Sequence, residues 1–207
     1  VIVLTNTGKV FWAGANLAER SSTAAPAAVV DPQRLFGRFR RSSKPYVGRI
    51  AGHCVAGGMG LAAAMDISIA ADDTMFGFTE VRIGVVPAVI SVVCLPKLRR
   101  TDAAAAFLRG NRFPAAEAAR IGLINSAVPR DALDAEVTAV VDDLLLAAPG
   151  AIASAKQLLA EVPSMPVDEA FAWTGELSAR LFKSEEAAEG IAAYLGKRSP
   201  SWVPEAQ

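Results

Sequence analysis

The sequence is poor in the residues that build metal centres and disulfide frameworks. Its 207 residues include two cysteines, Cys54 and Cys94, and one histidine, His53. The cysteines lack a CxxC spacing, so neither a disulfide framework nor a His/Cys metal site is expected. This cysteine usage suits a reducing compartment, and we expect a cytoplasmic protein that holds no metal.

An excess of charge of one sign is missing as well. Lys plus Arg number 21 and Asp plus Glu number 21, so the formal net charge is zero. Because no global field attracts nucleic acid or an anionic membrane, partners must be recognised locally. The apolar run over 85–96 is shorter than the roughly 20 residues of a spanning helix and contains two prolines. We therefore expect neither a membrane nor a nucleic acid as partner.

The first hundred residues have the pattern of an α/β core. Hydrophobic side chains make up 52% of the chain and charged ones 20%, as in a globular protein. Short apolar runs at 1–4, 44–50 and 67–71 have the length of strands. Between the last two runs, a glycine turn at 57–60 opens a stretch rich in Ala, Leu and Met, which favours helix. Since the chain opens on an apolar run typical of a buried strand, we expect an N-terminal part of the core to be absent.

The second half has a helical pattern with clear start and stop signals. Expected helices run from Thr101 to Gly110, from Pro114 to Gly122, over 131–147, over 151–162, and as a single last helix over 167–195. The sequence therefore predicts two regions, an α/β core over 1–130 and a helical region over 131–207.

The segment 33–49 is basic and contains no acidic residue. Its cations are Arg34, Arg38, Arg40, Arg41, Lys44 and Arg49. Such a cluster suits the phosphates of a nucleotide-bearing ligand or of RNA. The alternative is a solvated helix face, because three of the arginines recur at spacings of four and three. The zero net charge favours the solvated face.

Three segments place glycine or small residues directly after a predicted strand, at 11–17, 52–61 and 76–87. Small side chains there let a ligand approach main-chain N–H groups, and Gly57 and Gly58 at a helix start add the positive end of its dipole. Two such amides can form an oxyanion hole. The alternative is that the glycines serve only the conformation of the turn. Neither a GxxxxGK[ST] phosphate loop nor a GxGxxG after a strand is present.

Four strings carry a resemblance that spans nearly the whole chain. They are AGANL, AGGMGLAAAMDISIAADDTMFGFTEVRIGVVP, GNRFPAAEAARIGLINSAVP and SEEAAEGIAAYLGKRSP. In order, spacing and content they resemble the crotonase superfamily, the enoyl-CoA hydratase/isomerase family. The resemblance implies an α/β fold in which repeated ββα units form a spiral, followed by C-terminal helices that pack subunits into homotrimers or hexamers. It also implies acyl-CoA thioesters as substrates in fatty acid metabolism, with no separate cofactor because coenzyme A is part of the substrate.

The resemblance implies an enolate mechanism with three catalytic positions. The backbone amides of Ala15 and Gly57 match the two donors of the oxyanion hole, and Glu80 matches an acid/base glutamate. Fixed N–H donors stabilise the negative charge that develops on a thioester oxygen. The apolar neighbours of Glu80 would raise the pKa of its carboxyl by desolvation, whereas Arg82 would lower that pKa. The sequence leaves the outcome of these two effects open.

Hydratases of the family have a second glutamate, and the matching position here is Gly60. We expect an enzyme that adds water to a 2-enoyl-CoA or removes it from the product. A Δ3,Δ2-enoyl-CoA isomerase that needs one glutamate is the alternative, and a catalytically silent acyl-CoA-binding homologue is another.

The resemblance also assigns residues that bind the substrate. The loop over 13–17 lines the channel for coenzyme A, and an aromatic residue and a lysine near the C-terminus reach the nucleotide of a neighbouring subunit. The expected binding residues are Ala13, Asn16, Leu17, Gly58, Gly60, Pro87, Tyr194 and Lys197.

Overall fold

The computed structural model describes residues 1–14 and 31–204. Within these ranges the chain divides into two compact units. The first comprises residues 2–14, 31–39 and 46–138, and the second comprises residue 1, residues 40–45 and residues 139–204. The division of the sequence at residue 130 stays a prediction.

Two four-stranded sheets form the first unit. One sheet has the order β1 (Ile2–Thr5), β3 (Tyr46–Ile50), β5 (Ile67–Ala71) and β8 (Ser126–Val128), with every neighbour parallel. The other has the order β2 (Val10–Trp12), β4 (His53–Val55), β6 (Met75–Gly77) and β7 (Phe113–Pro114). Strands β2, β4 and β6 are parallel, and β7 runs antiparallel to β6.

From β1 to β6, successive strands alternate between the two sheets, so the chain winds as a spiral. Strands β1, β3 and β5 lie side by side in one sheet, while β2, β4 and β6 lie side by side in the other. Each turn of the spiral thus adds one strand to each sheet, and a helix completes the turn between β4 and β5. The expected spiral of ββα units is confirmed.

Nine α-helices lie in the described ranges. They are α1 (Pro32–Arg41), α2 (Gly57–Ala64), α3 (Ala88–Cys94), α4 (Arg100–Arg109), α5 (Ala115–Arg120), α6 (Leu133–Leu146), α7 (Pro149–Glu161), α8 (Val167–Leu181) and α9 (Glu185–Leu195). Short 3-10 helices cover Glu80–Ile83, Leu95–Lys97, Arg130–Ala132 and Val162–Ser164.

The single last helix expected over 167–195 is wrong, because the chain breaks it between α8 and α9. Ser184 caps α9, and its hydroxyl accepts a hydrogen bond from the Ala187 amide at 3.1 Å. Thr101 is likewise not the cap expected for α4, since Arg99 holds that position in an extended conformation. The stop at Gly110 is correct, and this glycine ends α4 with φ of 58°.

The core of the first unit is built mainly from the apolar faces of β3 to β6 and from α2. The fully buried side chains include Ile50, Met59, Met65, Phe76 and Phe78. Helix α2 is apolar on all sides, which is the pattern of a helix surrounded by protein. Because α2 lies inside this core, the start of the helix is held rigidly at the ends of the neighbouring strands.

The second unit consists of helices whose ends are fixed by polar contacts. The Glu186 carboxylate accepts hydrogen bonds from the amides of Gly150 and Ala151 at the start of α7, at 2.8 and 3.1 Å. The Glu189 carboxylate pairs with both terminal nitrogens of Arg198 at 2.7 and 2.8 Å. These carboxylates serve the packing of the helices.

No single helix in the described part of the chain is both long and apolar enough to cross a membrane. The consecutive segments 130–146 and 149–164 are long and apolar enough only when they are taken together, and they are bent by 108° relative to each other.

Candidate active site

Three parallel strands bring the predicted segments to one edge of the second sheet. Trp12 of β2 pairs with Cys54 of β4, and Val55 of β4 pairs with Gly77 of β6. The residues that follow the three strands therefore emerge at the same carboxyl edge. In open parallel sheets this edge is where ligands bind.

The start of α2 approaches the end of β2 so closely that only glycine fits. A Cβ at position 58 would lie 2.2 Å from the Trp12 carbonyl oxygen, and a Cβ at position 57 would lie 3.0 Å from the Gly14 Cα. Gly14 itself has φ of 89°. The first N–H groups of a helix have no partner inside the helix, and the Gly57 amide at the start of α2 lies beside Gly14.

The residue before this amide is strained. Ala56 has φ of 50° and ψ of −123°, a conformation that residues with a side chain rarely adopt. Hydrogen bonds hold it there, because its amide donates to the Gly77 carbonyl at 3.0 Å and its carbonyl accepts from the Met59 amide at 2.9 Å. The strained peptide is thus fixed to β6 and α2, and its geometry sets the direction of the Gly57 N–H.

Glu80 places a carboxylate at the same edge. It begins the 3-10 helix Glu80–Ile83, three residues after the end of β6. Among the described residues, its Oε2 is the one buried side-chain polar atom that has no hydrogen-bond partner. Burial raises the pKa of the Glu80 carboxyl, and its own backbone amide only partly opposes this shift. Arg82, the residue expected to lower that pKa, instead points its guanidinium at the Arg109 carbonyl oxygen, 3.5 Å away.

The position that matches the second glutamate is closed by packing. A Cβ at Gly60 would lie 2.4 Å from Cγ2 and 2.7 Å from Cβ of Ile90, and 3.1 Å from Cζ of Phe36. Gly60 is also buried within α2. The absent carboxylate is therefore replaced by the apolar side chains of neighbouring elements, with no space left for it.

The expected binding residues differ in how far they are exposed to solvent. Gly58 and Gly60 are buried, Pro87 is buried at the start of α3, and Ala13 is exposed after β2. Tyr194 is 84% exposed at the end of α9, and Lys197 is exposed just beyond it with φ of 50°. Ala15, Asn16 and Leu17 lie outside the described residues. The roles of these residues stay predictions.

The remaining candidate side chains have structural partners. His53 Nδ1 accepts a hydrogen bond from the Met75 amide at 3.1 Å. Cys54 and Cys94 are buried free thiols, and burial raises the pKa of both, that of Cys94 to about 12. In the described part of the chain, no three His, Cys, Asp or Glu side chains come together as a metal site requires.

Much of the basic segment is a solvated face. Arg34, Arg38 and Arg41 are exposed on α1, as their spacing predicts. Arg40 and Arg49 form ion pairs with Glu161 and Asp134. Two of the six cations of the segment are therefore paired with carboxylates, and the other interpretation, a phosphate-binding cluster, is not tested by these contacts.

Comparisons with known proteins give the family. The model of the family described as enoyl-CoA hydratase/isomerase matches residues 1–205. The chain belongs to the enoyl-CoA hydratase/isomerase family. The match confirms the predicted superfamily, and it confirms that the chain is an enzyme of the hydratase type.

Relatives and solved structures agree with this family. The chain is 32% identical to the carnitinyl-CoA dehydratase of Escherichia coli strain K12, covering 98% of this chain and 80% of the relative. A crystal structure of an enoyl-CoA hydratase from Shewanella pealeana is similar with a TM-score of 0.86 and 31% identity, over 97% of this chain and 77% of that one. An enoyl-CoA hydratase/isomerase from Marinobacter aquaeolei gives a TM-score of 0.86 and 26% identity, over 99% and 83% of the two chains.

Three of the predicted site residues share the carboxyl edge of β2, β4 and β6. The structure places Gly57, Gly58 and Glu80 there, and their catalytic and binding roles stay predictions. Sequence reasoning missed Ala56, Ile90 and Phe36. The glycine run at 57–60 was the available signal for a tight turn at 56, whereas no local signal in the sequence points to the contact between Gly60 and Ile90.

Proposed function

We propose that this enzyme hydrates a 2-enoyl-CoA, or dehydrates the corresponding 3-hydroxyacyl-CoA, with Glu80 as its only acid/base. The buried Oε2 of Glu80, which has no hydrogen-bond partner in the described part of the chain, carries the proposal. An unpaired buried carboxylate oxygen is costly, and proteins keep such atoms where chemistry needs them.

The thioester carbonyl is placed against the start of α2. In the proposed complex its oxygen accepts hydrogen bonds from the backbone amides of Gly57 and Ala15. The close approach of Gly14 to Gly57 supports this arrangement, because it brings the chain that leads to residue 15 beside the Gly57 amide. These donors stabilise the enolate oxygen without rearrangement of solvent.

Glu80 acts first as base and then as acid. Its carboxylate takes a proton from water while the water oxygen bonds to C3, and the C2=C3 π electrons move toward C2 and the thioester oxygen. Protonated Glu80 then donates a proton to C2, which restores the carboxylate and consumes one water. A pKa raised by burial suits both steps, because it brings the acid and base forms closer in free energy at neutral pH.

The wider setting is also part of the proposal. We place the enzyme in the cytoplasm, acting on acyl-CoA without a separate cofactor, as a homotrimer or hexamer. The free thiols of Cys54 and Cys94 support a reducing compartment. Phe171 and Phe182 are each more than 70% exposed in the helical unit, which supports an interface there. Sedimentation analysis tests the oligomer, and a monomer at micromolar concentration would contradict it.

The substitution Glu80→Gln tests the assignment of the acid/base. We expect kcat for hydration to fall by about 10² to 10⁴, while the affinity for a non-reactive acyl-CoA stays within about twofold. Hydration is followed by loss of the enoyl absorbance, and binding by calorimetry.

Glu189→Gln is the matched control, because it removes a partly exposed carboxylate that is paired with Arg198 in the helical unit and should leave kcat unchanged. Full activity of Glu80→Gln would show that the base is wrongly assigned. Tight binding with no turnover by the wild type would favour a silent acyl-CoA-binding protein.

A Δ3,Δ2-enoyl-CoA isomerase is the second candidate, and the closed position at Gly60 favours it. One carboxylate suffices for this reaction: Glu80 would take a proton from C2 of a 3-enoyl thioester and return it to C4, as the double bond moves. Offering matched 2-enoyl and 3-enoyl thioesters separates the candidates. Preferential consumption of the 3-enoyl substrate without formation of a hydroxyacyl product would favour the isomerase.

A further inference from the structure

Helices α2 and α3 form an apolar wall next to the proposed acid/base. Gly60 lies one helical turn after Gly57 on α2, so both positions share a face of that helix. On α3, Ile90 and Cys94 form the buried face, again one turn apart. The charge of Glu80 adds to the rise in the pKa of the Cys94 thiol, which places this face of α3 within electrostatic reach of the carboxylate.

We infer that Ile90 is a specificity-determining residue: packed with Phe36 against Gly60, it fills the space beside Glu80 where a second carboxylate would lie. This inference rests on the proposed function, because it concerns how the same site divides between hydration and double-bond migration. A site with this space filled by carbon presents Glu80 alone to the substrate.

The contact at Gly60 is too close for any other side chain. The two nearest Ile90 carbons would lie 2.4 and 2.7 Å from a Cβ at position 60, and both distances are below ordinary van der Waals contact. Because the nearer atoms belong to a β-branched side chain on a helix, they have little rotamer freedom with which to move away. Glycine at 60 and isoleucine at 90 are therefore complementary in size.

Enlarging position 60 consequently requires a specific second change. Ile90→Ala would remove Cγ2 but leave the Cβ at 2.7 Å, so only Ile90→Gly removes both close contacts. We expect Gly60→Glu alone to be strongly destabilised. The double variant Gly60→Glu/Ile90→Gly should regain much of the lost thermal stability and should place a second carboxylate beside Glu80.

Val92→Gly supplies a matched control on the same helix. Val92 is 74% exposed, so this substitution introduces the same helix-interior glycine without touching position 60. Gly60→Glu/Val92→Gly should therefore melt no higher than Gly60→Glu. The two double variants share a glycine inside α3, and they differ in whether the contact at position 60 is relieved and in the loss of the buried Ile90 side chain, which counts against Gly60→Glu/Ile90→Gly.

The product ratio gives the functional test. Wild type, Ile90→Ala and both double variants receive the same 3-enoyl-CoA and 2-enoyl-CoA, and the hydroxyacyl and isomerised products are quantified. We expect the ratio of hydration to isomerisation to rise about tenfold in Gly60→Glu/Ile90→Gly, which corresponds to about 1.4 kcal/mol. Ile90→Ala alone should move the ratio in the same direction, because it opens space for a second water beside the one that Glu80 activates.

Several outcomes would overturn the inference. They are a Gly60→Glu variant that melts like the wild type, a Gly60→Glu/Ile90→Gly variant that melts no higher than its Val92 control or fails to fold, and an unchanged product ratio in both Ile90 variants. The Glu80→Gln variant is measured alongside. Its full activity would refute the proposed function, whereas an inactive Glu80→Gln with an unchanged product ratio would refute only the role of Ile90.

Discussion

The carboxyl edge of β2, β4 and β6 and the C-terminal helices each contain a glutamate, and the two carboxylates differ in their hydrogen bonding and in the direction of their pKa shift. Glu189 is held by both nitrogens of Arg198 and by the Ser201 amide, and these contacts lower the pKa of its carboxyl to about 2. Glu80 has a buried oxygen with no partner among the described residues, and its carboxyl pKa is raised. A fully paired carboxylate contributes to the stability of the fold, whereas a carboxylate with an unpaired oxygen has an acceptor available for a ligand.

The backbone shows the same contrast. At the strand ends, the backbone of Ala56 is strained. Gly57 and Gly58 leave no space for a Cβ, because they pack against Gly14 and the Trp12 carbonyl. In α8, by contrast, a Cβ at Gly175 would meet nothing within 4 Å. Stability is thus given up at the edge that holds the proposed site, as expected where geometry serves chemistry.

The largest expected effect is a change in the free energy of unfolding when Gly58 or Gly175 is replaced by alanine. Gly58→Ala forces a Cβ against the Trp12 carbonyl, so the free energy of unfolding should fall by about 3 kcal/mol. Gly175→Ala should instead raise it by ~0.5–1 kcal/mol, because alanine suits a helix interior. Urea denaturation measures both. Equal effects of the two substitutions would remove the contrast between the regions.

A smaller effect is expected at the strained residue. Ala56→Gly should raise the free energy of unfolding by about 1 kcal/mol, since glycine adopts the observed dihedral angles without strain. Ala105→Gly, an exposed position inside α4, is the control and should lower stability by about 1 kcal/mol. A loss of stability in Ala56→Gly would show that the conformation at 56 costs nothing.

The substitution Lys197→Ala tests whether the helical unit contributes to binding of coenzyme A. Lys197→Ala should weaken binding of coenzyme A by about twofold to fivefold, as for an exposed charge near phosphate. The loss should shrink at high salt, because the interaction is screened. Lys183→Ala, another exposed lysine of this unit, should bind like the wild type. An unchanged affinity of Lys197→Ala would leave the lysine without a role in binding.

The smallest expected effect is a pH dependence of opposite sign for the two glutamates. Glu189 has a lowered pKa, so its contribution to stability is present above about pH 4.5 and is lost as the pH falls toward 2. Glu80 has a raised pKa, so stability declines as the pH rises from 4.5 through that value. Denaturation midpoints of Glu189→Gln and Glu80→Gln across pH should each lose one of these slopes. The same slope in both variants would contradict the assignment.

The period of apolar residues in the sequence predicts the longer elements of the fold and does not predict the shortest strands. The strands near 1–4, 44–50 and 67–71 and the helices after 131 and 149 carry enough apolar residues to show their period. Strands β2, β4, β6, β7 and β8 have only two or three residues, too few for any period, and they were not expected. The break at 182–184 had a usable signal in Ser184 followed by two acidic residues, but the apolar stripe on either side masked it.

The proposed site was predictable where it depends on sequence motifs and unpredictable where it depends on packing. Gly57 and Glu80 follow from the resemblance, and the structure places both at one edge. The closed position at Gly60 arises from Ile90, thirty residues away in sequence, and from Phe36 on a third element. The rise in the Glu80 pKa also needed the structure, because Arg82 faces the Arg109 carbonyl and does not pair with Glu80.

The alternation of strands between the two sheets has a consequence for how such a chain changes length. Because every winding contributes one strand to either layer, an added or lost winding alters both layers equally and leaves the remaining pairings in register. Inserting a lone strand between β4 and β6 would instead exchange the layers of the strands that follow and separate residue 57 from residue 80. Growth by complete windings is therefore the change that this architecture accommodates.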